Sequence, residues 1–112
     1  MDTPAAVTSL AALAQPHRLA VFRRLVELGP EGAYAGELAE HLAIPANTLS
    51  FHLKSLQQAG LIQPEPRGRN IRYRADFEAM RSLVAFLTEN CGGGDPSLCT
   101  PADVPAKTAA CS

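Results

Sequence analysis

Residues 44–75, IPANTLSFHLKSLQQAGLIQPEPRGRNIRYRA, constrain this chain more than any other stretch. Leu49, Leu53 and Leu56 recur at helical spacing and lay an apolar stripe on one face, and Ala59-Gly60 closes that helix. A strand opening on Leu61-Ile62 follows, then the turn segment Pro66-Arg67-Gly68-Arg69-Asn70. A second strand alternates Ile71, Tyr73 and Ala75 with Arg72 and Arg74. A helix followed by a basic β-hairpin is the working half of a winged helix-turn-helix.

The distribution of charge agrees. Residues 1–45 carry 3 positive and 5 negative groups, residues 46–75 carry 5 and 1, and residues 76–112 carry 2 and 5. The net charge of −1 thus hides a basic segment between two acidic ones, and such a segment presents a positive patch to a polyanion.

At 112 residues, with 46% apolar and 19% charged side chains, the chain suits one domain with one modest core. Periodicity predicts a first helix over 4–14 with Val7, Leu10, Ala11 and Ala14 on one face. A second starts at Pro16, burying Leu19, Phe22, Leu25 and Val26, and stops at Gly29-Pro30. A third, over 35–43, buries Leu38 and Leu42, and Ile44-Pro45 turns into the fourth. After the hairpin, Asp76 caps a fifth helix over 77–90 with the stripe Phe77, Met80, Leu83, Val84 and Leu87. The expected fold class is therefore mainly α with one β-hairpin, a winged helix-turn-helix over residues 1–91. From Gly92 the composition turns to Gly, Pro, Ala, Ser and Thr, and 92–112 reads as a flexible tail. The apolar-leaning start is interrupted by Thr8 and Ser9 and lacks a basic leader, so it does not read as a signal peptide. With no transmembrane run either, the expected location is the cytoplasm, where thiols stay reduced.

On the fourth helix, Asn47, Phe51, Lys54 and Gln58 cluster opposite the leucine stripe, flanked by Ser50 and Ser55. A reading helix in a major groove needs small or polar groups near its N-terminus and an apolar back. Asn47 can hydrogen-bond adenine, and Thr48 or Ser50 can reach bases or phosphate. Phe51 is the odd member: it either meets thymine methyl groups or tucks under the hairpin as core. His52, on the flank of the stripe, reads as a packed histidine. Arg67, Arg69, Arg72 and Arg74 form the wing, with Gly68 and Asn70 permitting a tight turn that projects them outward. There they would contact phosphates or the minor groove, unless the hairpin is merely a solvated basic surface. No nucleophile–base pair, phosphate loop or paired-carboxylate motif appears, so an enzyme is not expected. A winged-helix module that binds protein instead of DNA is the rival outside this class.

All three cysteines, Cys91, Cys99 and Cys111, lie in the last 22 residues, and an odd count rules out a complete disulfide framework. Zinc fits poorly, since there is no Cys-x-x-Cys and His17, His41 and His52 all lie in the helical body. Three thiolates without nitrogen or carboxylate partners suit a soft, thiophilic centre. Incidental tail thiols and a redox-sensing pair are the other readings.

Residues 13–75 resemble the arsenic-repressor (ArsR/SmtB) family of bacterial metalloregulators. The resemblance rests on Pro16-His17-Arg18-Leu19, Glu37-Leu38-Ala39, Ser50-Phe51-His52-Leu53 with Leu56, Ala59-Gly60-Leu61-Ile62, and the wing from Gly68-Arg69 to Tyr73. It implies a homodimer paired through its first and last helices, here Leu10 with Phe77, Met80, Leu83, Val84 and Leu87. It also implies repression on a palindromic double-stranded operator, relieved when a toxic metal or metalloid binds. The family's arsenic site on the third helix is absent, because Tyr34, Gly36 and Ala39 stand at its cysteine positions. The family's zinc site on the last helix is absent too, since residues 76–90 hold no histidine. A branch with an Asn-Cys-Cys-Gly arrangement beyond the last helix is more similar: Asn90-Cys91 matches it, and Gly92 departs from it. The implied inducer is trivalent arsenic (arsenite or methylarsenite) or antimonite, held by Cys91 and Cys99 with Cys111 as a third ligand. Two thiols suit a monomethylated arsenical, and three suit inorganic arsenite or antimonite.

Overall fold

The computed structural model describes residues 1–99, so Cys111 lies outside the described residues. Five α-helices and a small sheet follow in the order α1 (Thr3–Leu13), α2 (Pro16–Leu28), β1 (Ala33–Tyr34), α3 (Ala35–Leu42), α4 (Ala46–Gln58), β2 (Ile62–Arg67), β3 (Asn70–Ala75) and α5 (Phe77–Leu87). This is a mainly helical winged helix-turn-helix, as the helix and hairpin signals predict.

Side-chain caps open three of the five helices, α1, α2 and α5. The Asp2 carboxylate accepts from the Ala5 N–H at 2.9 Å, the Gln15 side chain accepts from the Arg18 N–H at 2.8 Å, and Asp76 accepts from the Ala79 N–H at 2.9 Å. The first of these opens α1 and the second α2, where Pro16 sits in the first turn. The fifth helix is shorter than its expected span, because Thr88 leaves helical geometry and Asn90 turns left-handed at φ 58°. Between α3 and α4 the chain reverses at Ala43, a non-glycine residue at φ 55°.

One strand is absent from the sequence reading. Ala33 and Tyr34 pair antiparallel with Tyr73 and Arg72, so the hairpin becomes a three-stranded sheet in the order β1-β3-β2. Two residues carry no readable period, which is why the element escapes local patterning. Gly32, just before it, takes φ +61°, and a Cβ there would collide with the Tyr73 carbonyl oxygen. In the hairpin Ile62 faces Ala75 and Arg67 faces Asn70, leaving Gly68-Arg69 as a two-residue connection with Gly68 at φ +64°. Pro64 and Pro66 are tolerated because β2 is an edge strand.

The core gathers Val21, Phe22, Leu25, Leu38, Ile44, Leu49, Leu53, Leu56, Leu61 and Ile62. The stripe of α4 is buried as expected, but two faces differ from expectation. On α2 the fully buried side is Val21, Phe22 and Leu25, while Leu19 is 43% exposed. On α1 the small residues Ala6 and Ser9 turn inward, and Val7 and Leu10 are left 57% and 42% exposed. The Arg18 Nε–H donates to the Ala12 carbonyl at 2.6 Å and ties the first two helices together. Small side chains permit close approach to the neighbouring helices, and the larger apolar ones then have only the outside to occupy.

Candidate nucleic-acid interface and thiol pair

On α4, Asn47, Ser50, Phe51 and Lys54 are exposed and Thr48 is half-buried, with Leu49, His52, Leu53 and Leu56 buried behind them. The amphipathic split thus turns the sequence-predicted reading residues to solvent. Phe51 is 64% exposed, so it does not tuck under the hairpin as core. No side chain caps the start of α4, and Asn47 uses its Oδ1 to accept from the Thr48 N–H at 2.9 Å. The Asn47 amide NH₂ adds two donors on this exposed residue.

Behind this surface the His52 ring sits edge-on to both Phe51 and His17, with centroids 5.6 and 5.4 Å apart. His52 is buried, and its Nδ1 has no hydrogen-bond partner among the described residues. Burial first, then the charge of Arg18 and then His17, holds its pKa below the ordinary histidine value, so the ring packs in its neutral form.

The wing arginines have different surroundings. Arg69 lies in the two-residue connection at the hairpin tip and makes no ion pair among the described residues. Arg67 and Arg74 both pair with Glu65, the latter at 3.9 Å. Arg72 is held elsewhere: its Nη1 donates to Glu31 Oε2 at 3.2 Å, and its guanidinium lies 5.0 Å from the Tyr34 ring centroid. Arg72 therefore fastens β3 to β1 and to the turn before it. Sequence reasoning missed the roles of Glu31 and Tyr34, and no local signal marks a contact across 41 residues.

Beyond α5 the chain makes two 3₁₀ turns, Cys91–Gly94 and Pro96–Cys99, and joins Cys91 to Cys99 as a disulfide with Cα atoms 6.0 Å apart. Asp95 pins the second turn by accepting from the Ser97 N–H at 3.0 Å and the Ser97 hydroxyl at 2.7 Å. Leu98 sits over Gly92, where a Cβ would approach to 3.3 Å. Two of the three cysteines named from sequence are thus brought together, and this part of the expected tail, 92–99, has a folded path. Among the described residues no three His, Cys, Asp or Glu side chains converge as a metal-binding group.

Of the apolar stripe on α5, Leu83 is 7% exposed, and Phe77 and Met80 pack against the core. Val84 and Leu87 are 46% and 58% exposed, and they share that exposure with Val7 and Leu10 of α1. No helix is long and apolar enough to cross a membrane among the described residues.

Comparison with known proteins agrees with this geometry. A family model described as a helix-turn-helix domain matches residues 13–65. The transcriptional regulator KmtR of Mycobacterium tuberculosis is 40% identical over 63 residues, 54% of this chain and 48% of that protein. The transcriptional regulator YgaV of Escherichia coli is 32% identical over 82 residues, 73% of this chain and 81% of YgaV. A solved ArsR-like transcriptional regulator from Rhodococcus sp. RHA1 superposes with a TM-score of 0.66 at 31% identity, covering 80% of this chain and 81% of that one. The chain spans about half the length of KmtR and four fifths of the other two. With the order of α4 and the β2–β3 hairpin and these relatives in agreement, this chain belongs to the ArsR/SmtB family of winged helix-turn-helix transcription regulators.

Proposed function

We propose that this protein is a homodimeric repressor that binds a palindromic DNA operator and releases it when trivalent arsenic or antimony engages Cys91 and Cys99. The pairing of those two cysteines at the end of α5 carries the reading. Their Cα separation of 6.0 Å lies within the range that two cysteines bridge, so in the reduced state both thiols reach one small centre. The cytoplasm would keep them reduced. Two thiols match methylarsenite, and recruitment of Cys111 would add the third ligand that inorganic arsenite or antimonite prefers. Dimer formation is supported by the exposed row Val7, Leu10, Val84 and Leu87 on the first and last helices. The thiol pair follows directly on α5, so ligand binding can bias the dimer between geometries that fit and do not fit DNA. Coupling of about 1–3 kcal/mol between the two sites would suffice, provided the ligand favours the second geometry.

The Cys91–Cys99 bond also favours a second reading, a repressor that responds to oxidation by closing this disulfide. One titration separates the two. A fluorescently labelled operator complex is challenged with arsenite, antimonite, methylarsenite, zinc, cadmium and peroxide, using wild type and single cysteine variants. The arsenical reading expects Cys91→Ser and Cys99→Ser to stay on DNA, with Cys111→Ser responding to methylarsenite and losing its response to inorganic arsenite. Release by peroxide alone selects the redox reading. A Cys91→Ser protein that still releases DNA on arsenical overturns the tail site.

A further inference from the structure

We infer that Phe51 reads the C5-methyl group of thymine in each operator half-site, with His52 holding its ring in place. The inference rests on the DNA-binding reading and names what the recognition helix selects.

The surface around Phe51 limits its occupant. An aromatic side chain 64% open to water, on a helix whose leucines are buried, is left largely uncovered by the described residues, and its ring contact among them is the edge-on one with His52. Its neighbours on that face are Asn47 one turn before and Lys54 one turn after, and residues 46–58 contain no Asp or Glu. The occupant therefore combines negative charge with a small apolar group among hydrogen-bonding groups. In the dimer proposed above, the exposed apolar residues Val7, Leu10, Val84 and Leu87 of a second copy are taken up by their counterparts on the first and last helices, away from Phe51. The floor of the DNA major groove offers the right one, because phosphates flank it and the thymine methyl is the apolar mark on its base edges.

The ring is also held. His52, itself 7% exposed, meets Phe51 edge-on at 5.6 Å and is backed by His17 at 5.4 Å. This row of three rings runs from the reading surface to the start of α2. It limits the freedom Phe51 would lose on binding, so that more of the contact appears as discrimination. His52 is accordingly a positioning residue and touches no base.

The test removes a single methyl. Binding sites are selected from randomised duplexes with the full chain, and each dT of the selected half-site is then replaced by deoxyuridine. Base pairing is unchanged, and only the C5-methyl is lost. Wild type should weaken about fourfold per contacted methyl, the equivalent of ~0.8 kcal/mol at 1.4 kcal/mol per tenfold. Phe51→Ala should bind both duplexes alike, while Phe51→Leu retains part of the difference. His52→Gln should narrow the difference without changing the salt dependence, which a general loss of fold would not do. Thermal melting of each variant confirms folding, and Phe51→Ala should melt as wild type. Uniform indifference to deoxyuridine in wild type overturns the inference, as does an undiminished difference in Phe51→Ala. In both cases salt-dependent binding to duplex DNA persists, so the DNA reading stands. Wild type that binds no duplex at all overturns both.

Discussion

Substituting Arg69 and Arg72 separately tests how the wing is built, because residues of one type in one hairpin have different partners. Arg69 sits at the tip in the Gly68-Arg69 connection, whereas Arg72 is hydrogen-bonded to Glu31 at 3.2 Å and stacked over Tyr34 at 5.0 Å. A cationic side chain that neutralises one phosphate contributes ~0.9 to the slope of log affinity against log salt. A dimer loses two such contacts in Arg69→Ala, so its slope should flatten by ~1.8. Over the fourfold rise from about 50 to 200 mM salt, its affinity should therefore fall about tenfold less than that of wild type. Arg72→Ala should leave the slope near wild type and reduce stability instead. An exposed ion pair contributes ~0.2–1 kcal/mol and an exposed cation–π contact ~0.5–1 kcal/mol, together about 1 kcal/mol. For a domain of this size that is about 4–8 °C in Tm. Fluorescence anisotropy at several salt concentrations supplies the slopes, and calorimetry supplies the melting temperatures. Equal flattening in both variants would show that Arg72 leaves Glu31 for a phosphate, and the assignment of Arg72 as a wing anchor would fail.

Further expectations concern the dimer, the sheet and a cap. Leu87→Glu, on an exposed position, should give a folded monomer by sedimentation that no longer binds a palindrome, whereas Leu83→Glu should lower Tm sharply because Leu83 is buried within its own chain; a dimeric Leu87→Glu would remove α5 from the interface. Gly32→Ala should be among the most destabilising single changes, by more than ~1 kcal/mol in denaturant unfolding, since it combines positive φ with a collision against the Tyr73 carbonyl; a wild-type midpoint would contradict the β1–β3 pairing. Asp76→Ala should cost ~0.5–2 kcal/mol at neutral pH through the lost cap on α5. The Ala79 N–H foremost, with help from Gln63, holds the Asp76 carboxyl below its ordinary value. Its contribution is therefore fully present above the unfolded pKa of about 3.9 and is lost as pH falls through the lower folded value. The gap between wild type and Asp76→Ala should close in that acidic window, and a gap independent of pH would refute the ionised cap.

Much of this molecule is legible one element at a time. Leu49, Leu53 and Leu56 announce the buried back of α4, Asp76 announces the start of α5, and Gly68 beside Arg69 announces the hairpin tip. Each depends on interactions within a few residues, which period and turn chemistry record directly. The tertiary structure alone decided which side of α1 turns inward. A helical wheel favours Val7 and Leu10, yet Ala6 and Ser9 are buried, because how closely neighbouring helices approach depends on the size of the facing side chains as well as their hydrophobicity. It also decided that Arg72 meets Glu31 and Tyr34 while Arg69 stays at the tip, and that Phe51 faces water. In sequence these arginines are alike and Phe51 suits core or surface equally well; they are told apart by contacts that only the assembled sheet and helices bring within reach.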